Sequence, residues 1–135
     1  MILNPYLGFN GNCREAFEFY EKTLGGKILM MLTQGEAPVA ADLPAEDHGR
    51  IMHARLELNG QLLMGGDSPQ GASINKGFRV NINTETPEQA EQIFAALSDG
   101  GTIQMPIAQS FWAVRFGMLT DRFGVPWMIN CEQSA

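Results

Sequence analysis

Positive charge is the first thing this sequence has little of. Its 9 Lys and Arg residues stand against 15 Asp and Glu, for a formal net charge of −6, and the basic residues form no cluster. A phosphate backbone would find no counter-surface here, so nucleic acid is discounted as a partner. Long apolar runs are also missing: no stretch approaches the ~20 residues that span a bilayer. The opening Met-Ile-Leu-Asn-Pro has no basic segment ahead of an apolar one. No membrane contact and a cytoplasmic location are therefore expected. Cysteine is scarce. Cys13 and Cys131 fall in predicted regular elements without metal-like spacing and are read as reduced, partly buried thiols with no assigned chemistry.

What is present is apolar residues in quantity, 44% of 135 positions, enough for one compact unit or two small modules sharing a core. Their order is most legible in 111–131, FWAVRFGMLTDRFGVPWMINC. Trp112, Val114, Phe116 and Met118 alternate, Thr-Asp-Arg-Phe-Gly reverses the chain, and Val125 to Cys131 returns. Residues 51–66 repeat the pattern. Met52, Ala54, Leu56 and Leu58 alternate against His53, Arg55 and Glu57, and Asn59-Gly60 makes the turn. Both returning strands read Gly-x-x-apolar-Met, Gly60 to Met64 and Gly124 to Met128, 64 residues apart. That offset points to an internal repeat.

The remaining elements fall into the same frame. Residues 2–10 alternate as a strand, with Leu3, Pro5, Leu7 and Phe9 on one face and Asn4, Tyr6 and Gly8 on the other. Asn12 stands as N-cap, with Glu15 as its capping partner, before a helical stripe of Cys13, Ala16, Phe17, Tyr20 and Leu24 that Gly25-Gly26 ends. Lys27 to Thr33 is a strand, and the acidic 34–50 run is expected to be a long mobile loop. After a Gly- and Ser-rich linker the order restarts. Arg79 to Asn83 alternates, Thr86-Pro87-Glu88-Gln89 caps a helix with the stripe Ala90, Ile93, Phe94 and Leu97, Gly100-Gly101 ends it, and Thr102 to Ile107 offers a strand. Each half therefore reads strand, helix, three strands. The caps lie 74 residues apart and the glycine stops 75, and the difference from 64 is absorbed by the 34–50 loop.

Several stretches carry a further resemblance. These are Pro5-Tyr6-Leu7 with Phe9-Asn10-Gly11-Asn12, Glu18-Phe19-Tyr20, and above all Phe116-Gly117-Met118 through Thr120-Asp121-Arg122-Phe123-Gly124-Val125-Pro126-Trp127-Met128-Ile129-Asn130. In them the chain resembles the PhnB-like branch of the vicinal oxygen chelate superfamily over nearly its whole length. The resemblance implies an α+β fold of tandem βαβββ modules forming a curved mixed sheet around a cavity, the glyoxalase/bleomycin resistance/dihydroxybiphenyl dioxygenase fold. A single domain over 1–135 would hold modules 1–66 and 78–132 with a linker at 67–77. Short modules of this kind also imply a homodimer. The better-known relatives bind a divalent metal through His or Gln on a module's first strand and Glu on its last. Here the first-strand positions align to Asn4 and Arg79, or to Tyr6 and Asn81 if the register slips by two, and the last-strand positions to Met64 and Met128. None is His or a carboxylate, so no metal and no cofactor are expected.

If the apolar strand faces meet the helices, the opposite faces line the cavity. They carry Asn4, Tyr6, His53, Arg55, Glu57, Arg79, Asn81 and Asn83. On a solvated face these would simply pair among themselves, Arg55 or Arg79 with Glu57. As a pocket they suit a small polar or anionic ligand, held by arginine and oriented by Tyr6 and the asparagines, with Met64 and Met128 packed in the floor. His53 with Glu57 would suit a general base or part of a metal site, or only a hydrogen bond. His48, beside Glu46 and Asp47, is expected in solvent, Trp112 and Trp127 in the core or pocket wall, and Asp121 and Arg122 in a turn outside the site.

Three functions follow. The first is metal-free binding of a small molecule. The second is a metal-dependent lyase, isomerase or dioxygenase. The third comes from the demethylubiquinone methyltransferase-like label many relatives carry, though the chain lacks a Gly-rich strand-to-helix turn for a nucleotide-type cofactor.

Overall fold

One element order runs through the chain twice. In the computed structural model, which describes residues 1–38, 40–69, 72 and 74–132, the first copy is β1 (Tyr6–Phe9), α1 (Cys13–Leu24), β2 (Lys27–Thr33), β3 (Ile51–Leu58) and β4 (Gln61–Asp67). The second is β5 (Val80–Asn83), α2 (Pro87–Ser98), β6 (Thr102–Ala108), β7 (Arg115–Thr120) and β8 (Pro126–Cys131). Two units result, Met1–Ile74 and Asn75–Ala135. Each holds one mixed four-stranded sheet, ordered β1-β4-β3-β2 in the first and β5-β8-β7-β6 in the second. The first strand of each sheet runs parallel to the last, and the other pairs are antiparallel.

In the first unit α1 lays Cys13, Ala16, Phe17 and Tyr20 against Leu7, Phe9, Ala54 and Leu56, all fully buried. Phe17 meets Phe9 and Tyr20 edge-on, each at a ring separation of 6.0 Å. Burial of each such large side chain stabilises by ~1.5–3 kcal/mol. In the second unit Ala90, Ile93, Phe94 and Leu97 of α2 are buried, as are Leu119, Trp127, Ile129 and Cys131.

The second glycine of each helix stop has a steric reason. A Cβ at Gly26 would stand 2.5 Å from the carbonyl oxygen of Glu57, and one at Gly101 would stand 2.3 Å from that of Thr120. Each glycine leads the chain into an edge strand so close to its neighbour's backbone that no side chain fits.

Several local expectations are corrected. β1 starts at Tyr6 rather than residue 2, and Leu3 is 95% exposed. Pairing with β4 begins at Tyr6 and Met64, and Pro5 ahead of it has no N–H to offer a ladder. The Asn12 side chain caps nothing. The described residues of the 34–50 loop include 3-10 turns at Gln34–Glu36, Ala40–Asp42 and Ala45–Asp47. The Nε2 of His48 lies 2.8 Å from the carbonyl of Ala40 and 3.2 Å from that of Leu43, so His48 joins these turns instead of sitting in solvent. β7 begins only at Arg115, leaving Trp112 outside the strand and half exposed. Its faces are also the reverse of the apolar alternation. Gly117 and Leu119 point to the helix side, because a Cβ at Gly117 would meet the Phe94 ring at 2.6 Å, and Phe116 and Met118 lie on the other face.

Gly26→Ala and Gly101→Ala should each destabilise by at least ~2 kcal/mol in urea unfolding, through overpacking against an immovable backbone. Gly49→Ala, where nothing lies within 4 Å of the added carbon, should be near neutral.

Candidate functional site

The strand registers settle which residues share the open face of each sheet. In the first unit Tyr6 lies opposite Met64, Met64 opposite Arg55, and Arg55 opposite Met30, a row crossing all four strands. In the second unit the corresponding row is Asn81, Met128, Met118 and Met105. The first-strand position beside each methionine is therefore Tyr6 or Asn81, the alternative alignment. Asn4 and Arg79 precede their strands.

In the first unit the row gathers a small cluster. Arg55 donates its Nε–H to His53 Nε2 at 3.0 Å. The His53 ring stacks on Tyr6, with centroids 5.7 Å apart and planes inclined by 27°. Burial and then the Arg55 charge lower the His53 pKa from its usual value, so the imidazole is neutral at pH 7 and able to accept. Tyr6 is 52% exposed and turns its hydroxyl onto the Met52 carbonyl at 3.1 Å. That hydroxyl would collide with a Cβ at Gly66, 2.6 Å away, so Gly66 makes room for the ring. Burial, with smaller contributions from Cys13 and Asp67, raises the Tyr6 pKa and keeps the phenol neutral. The expected pairing of His53 or Arg55 with Glu57 is not what forms. Arg55 turns to His53, and Glu57 lies exposed opposite Lys27. Asn4 is half-buried and makes no hydrogen bond through its side chain among the described residues.

The second unit differs in kind. The Nη1 of Arg79 donates to the carbonyls of Leu119 at 3.0 Å and Trp127 at 3.3 Å and to Gln104 Oε1 at 3.3 Å, so its charge serves the sheet. Asn81 donates to Asn83 at 3.2 Å, and Asn130 donates to the same Asn83 oxygen at 3.0 Å. Asn130 is 7% exposed, and its own Oδ1 has no partner among the described residues.

Two residues outside the expected site hold the scaffold. Asp67 Oδ1 accepts from the amides of Gly11 at 2.8 Å and Cys13 at 3.1 Å, and Oδ2 accepts from Ile51 at 2.7 Å. It does the capping expected of Asn12. Burial and then Asp67 push the Cys13 thiol up to about 12, in keeping with an inert thiol. Asp121, 4% exposed, accepts from the amides of Phe123 and Val125 and from the Trp127 indole at 2.9–3.0 Å. A cavity of about 490 Å³ lies away from the open face, lined by Gln34, Glu46, Asp47, Arg50, Asp67, Ser68 and Pro69.

The superfamily's divalent metal can be tested against these donors. Tyr6 and Met64, and Asn81 and Met128, offer a phenol, an amide and two thioethers, a poor set for a hard or borderline cation. Among the described residues no three His, Cys, Asp or Glu side chains come together as a metal site. The residues do not fit the metal.

Comparison with known proteins places the chain. Its element order and sheets are those of glyoxalase-type proteins of the vicinal oxygen chelate superfamily. Solved fosfomycin resistance and possible glyoxalase structures match it at 6% and 22% identity, a likeness of fold alone. Residues 2–130 match the model of the family described as 3-demethylubiquinone-9 3-methyltransferase. The crystal structure of PA1353 from Pseudomonas aeruginosa is similar with TM-score 0.89 and 44% identity, covering 100% of this chain and 99% of that one. YjdN of Escherichia coli K12 is 37% identical over 96% of this chain and 95% of its own length. A Bacillus cereus PhnB protein bearing the methyltransferase description matches with TM-score 0.80 and 25% identity, over 97% of this chain and 99% of that one. The chain belongs to this family, the PhnB-like branch of the superfamily. Among the described residues no helix is long and apolar enough to cross a membrane.

Because the folded His53 pKa lies below the unfolded value of ~6.5, protonation favours the unfolded chain. This contribution to stability is fully present above that value and is lost as pH falls through the folded pKa. NMR titration should find the His53 ring protonating below the ordinary histidine range. Arg55→Gln should move it upward, and an unchanged midpoint would show that Arg55 has no part in the shift.

Proposed function

We propose that this protein binds a small polar or anionic molecule on the open sheet face of its first unit, without the divalent metal used by better-known members of the superfamily. The observation that carries this reading is the Arg55 guanidinium, exposed and tied at Nε to a neutral His53, with no hydrogen-bond partner for its remaining N–H groups among the described residues. An arginine held by one edge and open at the other is ready for an oxyanion. Tyr6 and Met64 supply the surfaces against which a ligand would rest, and His53 is also the candidate base should chemistry occur; Asn81 and Met128 hold the corresponding places on the sheet of the second unit. Glu57 and Asn4 play lesser parts in this unit, Glu57 by balancing charge, and in the second unit Arg79 is held by the carbonyls of its own sheet.

The protein is proposed to work in the cytoplasm as a homodimer and as a single domain of two modules. Support for association comes from the edge strands: β2 carries exposed Leu29 and Met30, and β6 carries exposed Ile103 and Met105. Unpaired edges with apolar side chains favour association. Light scattering at micromolar concentration should give the mass of two chains, and the mass of one chain would remove the dimer.

Metal independence is tested on protein purified without a metal-binding tag. Elemental analysis should find no stoichiometric metal, and calorimetric titration with nickel, manganese, zinc and iron should give no heat of specific binding. Stoichiometric metal that disappears in His53→Ala would bring the lyase, isomerase or dioxygenase reading to the front. Arg55→Ala should leave the melting temperature within a few degrees of the parent and abolish the stabilisation given by any acidic compound found in a thermal-shift screen.

A further inference from the structure

Resting on the binding function proposed above, we infer a narrower assignment: this face takes a monocarboxylate carried on a flat, unsaturated body, and His53 is the positioning residue that aims Arg55 at it. Four observations carry this.

The first is geometric. With its Nε–H given to His53 at 3.0 Å, the Arg55 fork offers only its terminal nitrogens, two coplanar donors that match the two oxygens of a carboxylate. His53 accepts at Nε2, so its proton sits on Nδ1, and the imidazole acts as a neutral strut. The second is charge. Glu57 stands opposite Lys27 on the same face and offsets it, so Arg55 leaves a single net positive charge, suited to a monoanion rather than a dianion.

The third concerns the usual seat of a tetrahedral oxyanion, the N-terminus of a helix. In this unit the Asp67 carboxylate already occupies that place, accepting from Gly11 and Cys13 at the start of α1. A phosphate or phosphonate there would meet a carboxylate as well as amides. The fourth is the surface beside the guanidinium. Tyr6 has its hydroxyl engaged with Met52, so it presents a ring rather than a donor, and that ring already stacks with His53. Met64 lies between Tyr6 and Arg55 in register. Two strand spacings, roughly 10 Å, separate the tyrosine and arginine backbones, and a thioether floor between them favours contact with a flat π-system. A carboxylate on an aromatic or conjugated body would meet the fork at one end and the Tyr6–His53 stack at the other.

The test is NMR titration of the full-length protein with benzoate, benzamide and methylphosphonate as probes. Benzoate should shift the Arg55 side-chain N–H signals together with the Tyr6 and His53 ring signals, and the other two probes should leave them in place. Arg55→Lys, which keeps the charge but loses the fork, should weaken benzoate at least about tenfold. His53→Leu should weaken it similarly, with His53→Ala as the second variant should the first misfold. His53→Gln, whose carbonyl can accept the same Nε–H, should restore most of the affinity, a rescue that a merely structural role would not show. Benzoate binding unchanged in both His53→Leu and His53→Ala overturns the positioning role. Methylphosphonate binding here in place of benzoate overturns the carboxylate assignment and leaves the proposed binding function standing. Benzoate shifts of equal size around Arg115 and Arg122 would show non-specific anion association and also overturn the assignment. If neither these probes nor any compound of a thermal-shift screen perturbs this face, the binding function falls as well.

Discussion

The Asp67 carboxylate, placed at the end of β4, is the contact on which the first unit depends. Its two oxygens collect three backbone amides from two places: Gly11 and Cys13 at the entrance to α1, and Ile51 at the start of β3. One side chain thus joins the helix to both strands of the hairpin that carries the candidate site. Hydrogen bonds to an ionised acceptor are each worth ~1.5–3 kcal/mol, and the helix dipole adds to the attraction at α1. The second unit solves the same problem elsewhere in its frame. Asp121, in the turn between β7 and β8, gathers Phe123, Val125 and the Trp127 indole. Each hairpin is fixed by one carboxylate with three donors, so the strand faces above it are held in register.

That dependence explains what could be read in the sequence and what could not. The repeat was legible because helix stops and turns are local: Gly25-Gly26, Gly100-Gly101 and Thr86 with Gln89 signal their roles within a few residues. The α1 cap was not, because Asn12 carries the right local chemistry and loses to a carboxylate more than fifty positions away. The same applies to 34–50. Its composition reads as loop, and its order comes from His48 reaching back to Ala40 and Leu43 and from Arg50 donating to the Ser68 carbonyl. In β7 an apolar alternation pointed to the wrong face because a glycine, which carries no hydrophobic signal, was the residue chosen to sit under Phe94.

The candidate site was legible to the same degree. The polar alternation of His53, Arg55 and Glu57 was visible as a face, and the structure keeps all three on it. Which of the polar residues remained available was not visible. Arg55 and Arg79 look equivalent in the sequence, yet one is held by a neighbouring imidazole and open at its far edge, and the other donates to two carbonyls of separate strands. Periodicity reports the side of a strand a residue takes, and backbone carbonyls from distant strands leave no trace in it. Met30 went unnoticed for a related reason: it joins the row only through the irregular β2–β3 register, which shifts between Ile28 and Met30.

The two open faces occupy corresponding frames but have diverged by an exchange of volume. In the first unit Gly8 lies opposite Gly66, and the bulk belongs to Tyr6, whose hydroxyl fills the space a side chain at 66 would need. In the second, Asn83 lies opposite Asn130, and the tyrosine position holds the shorter Asn81. A large side chain at the first-strand position demands glycine on the last strand, whereas a short one leaves room for an amide there. The consequence is chemical as well as steric. Tyr6 with Gly66 leaves an aromatic surface beside His53 and Arg55. Asn81, Asn83 and Asn130 instead form a chain of neutral amides beside Met118 and Met128, which Asn130 continues to the Glu132 carboxylate at 3.4 Å. The guanidinium on the first face and the amides on the second thus follow from the same exchange of volume in two copies of one frame.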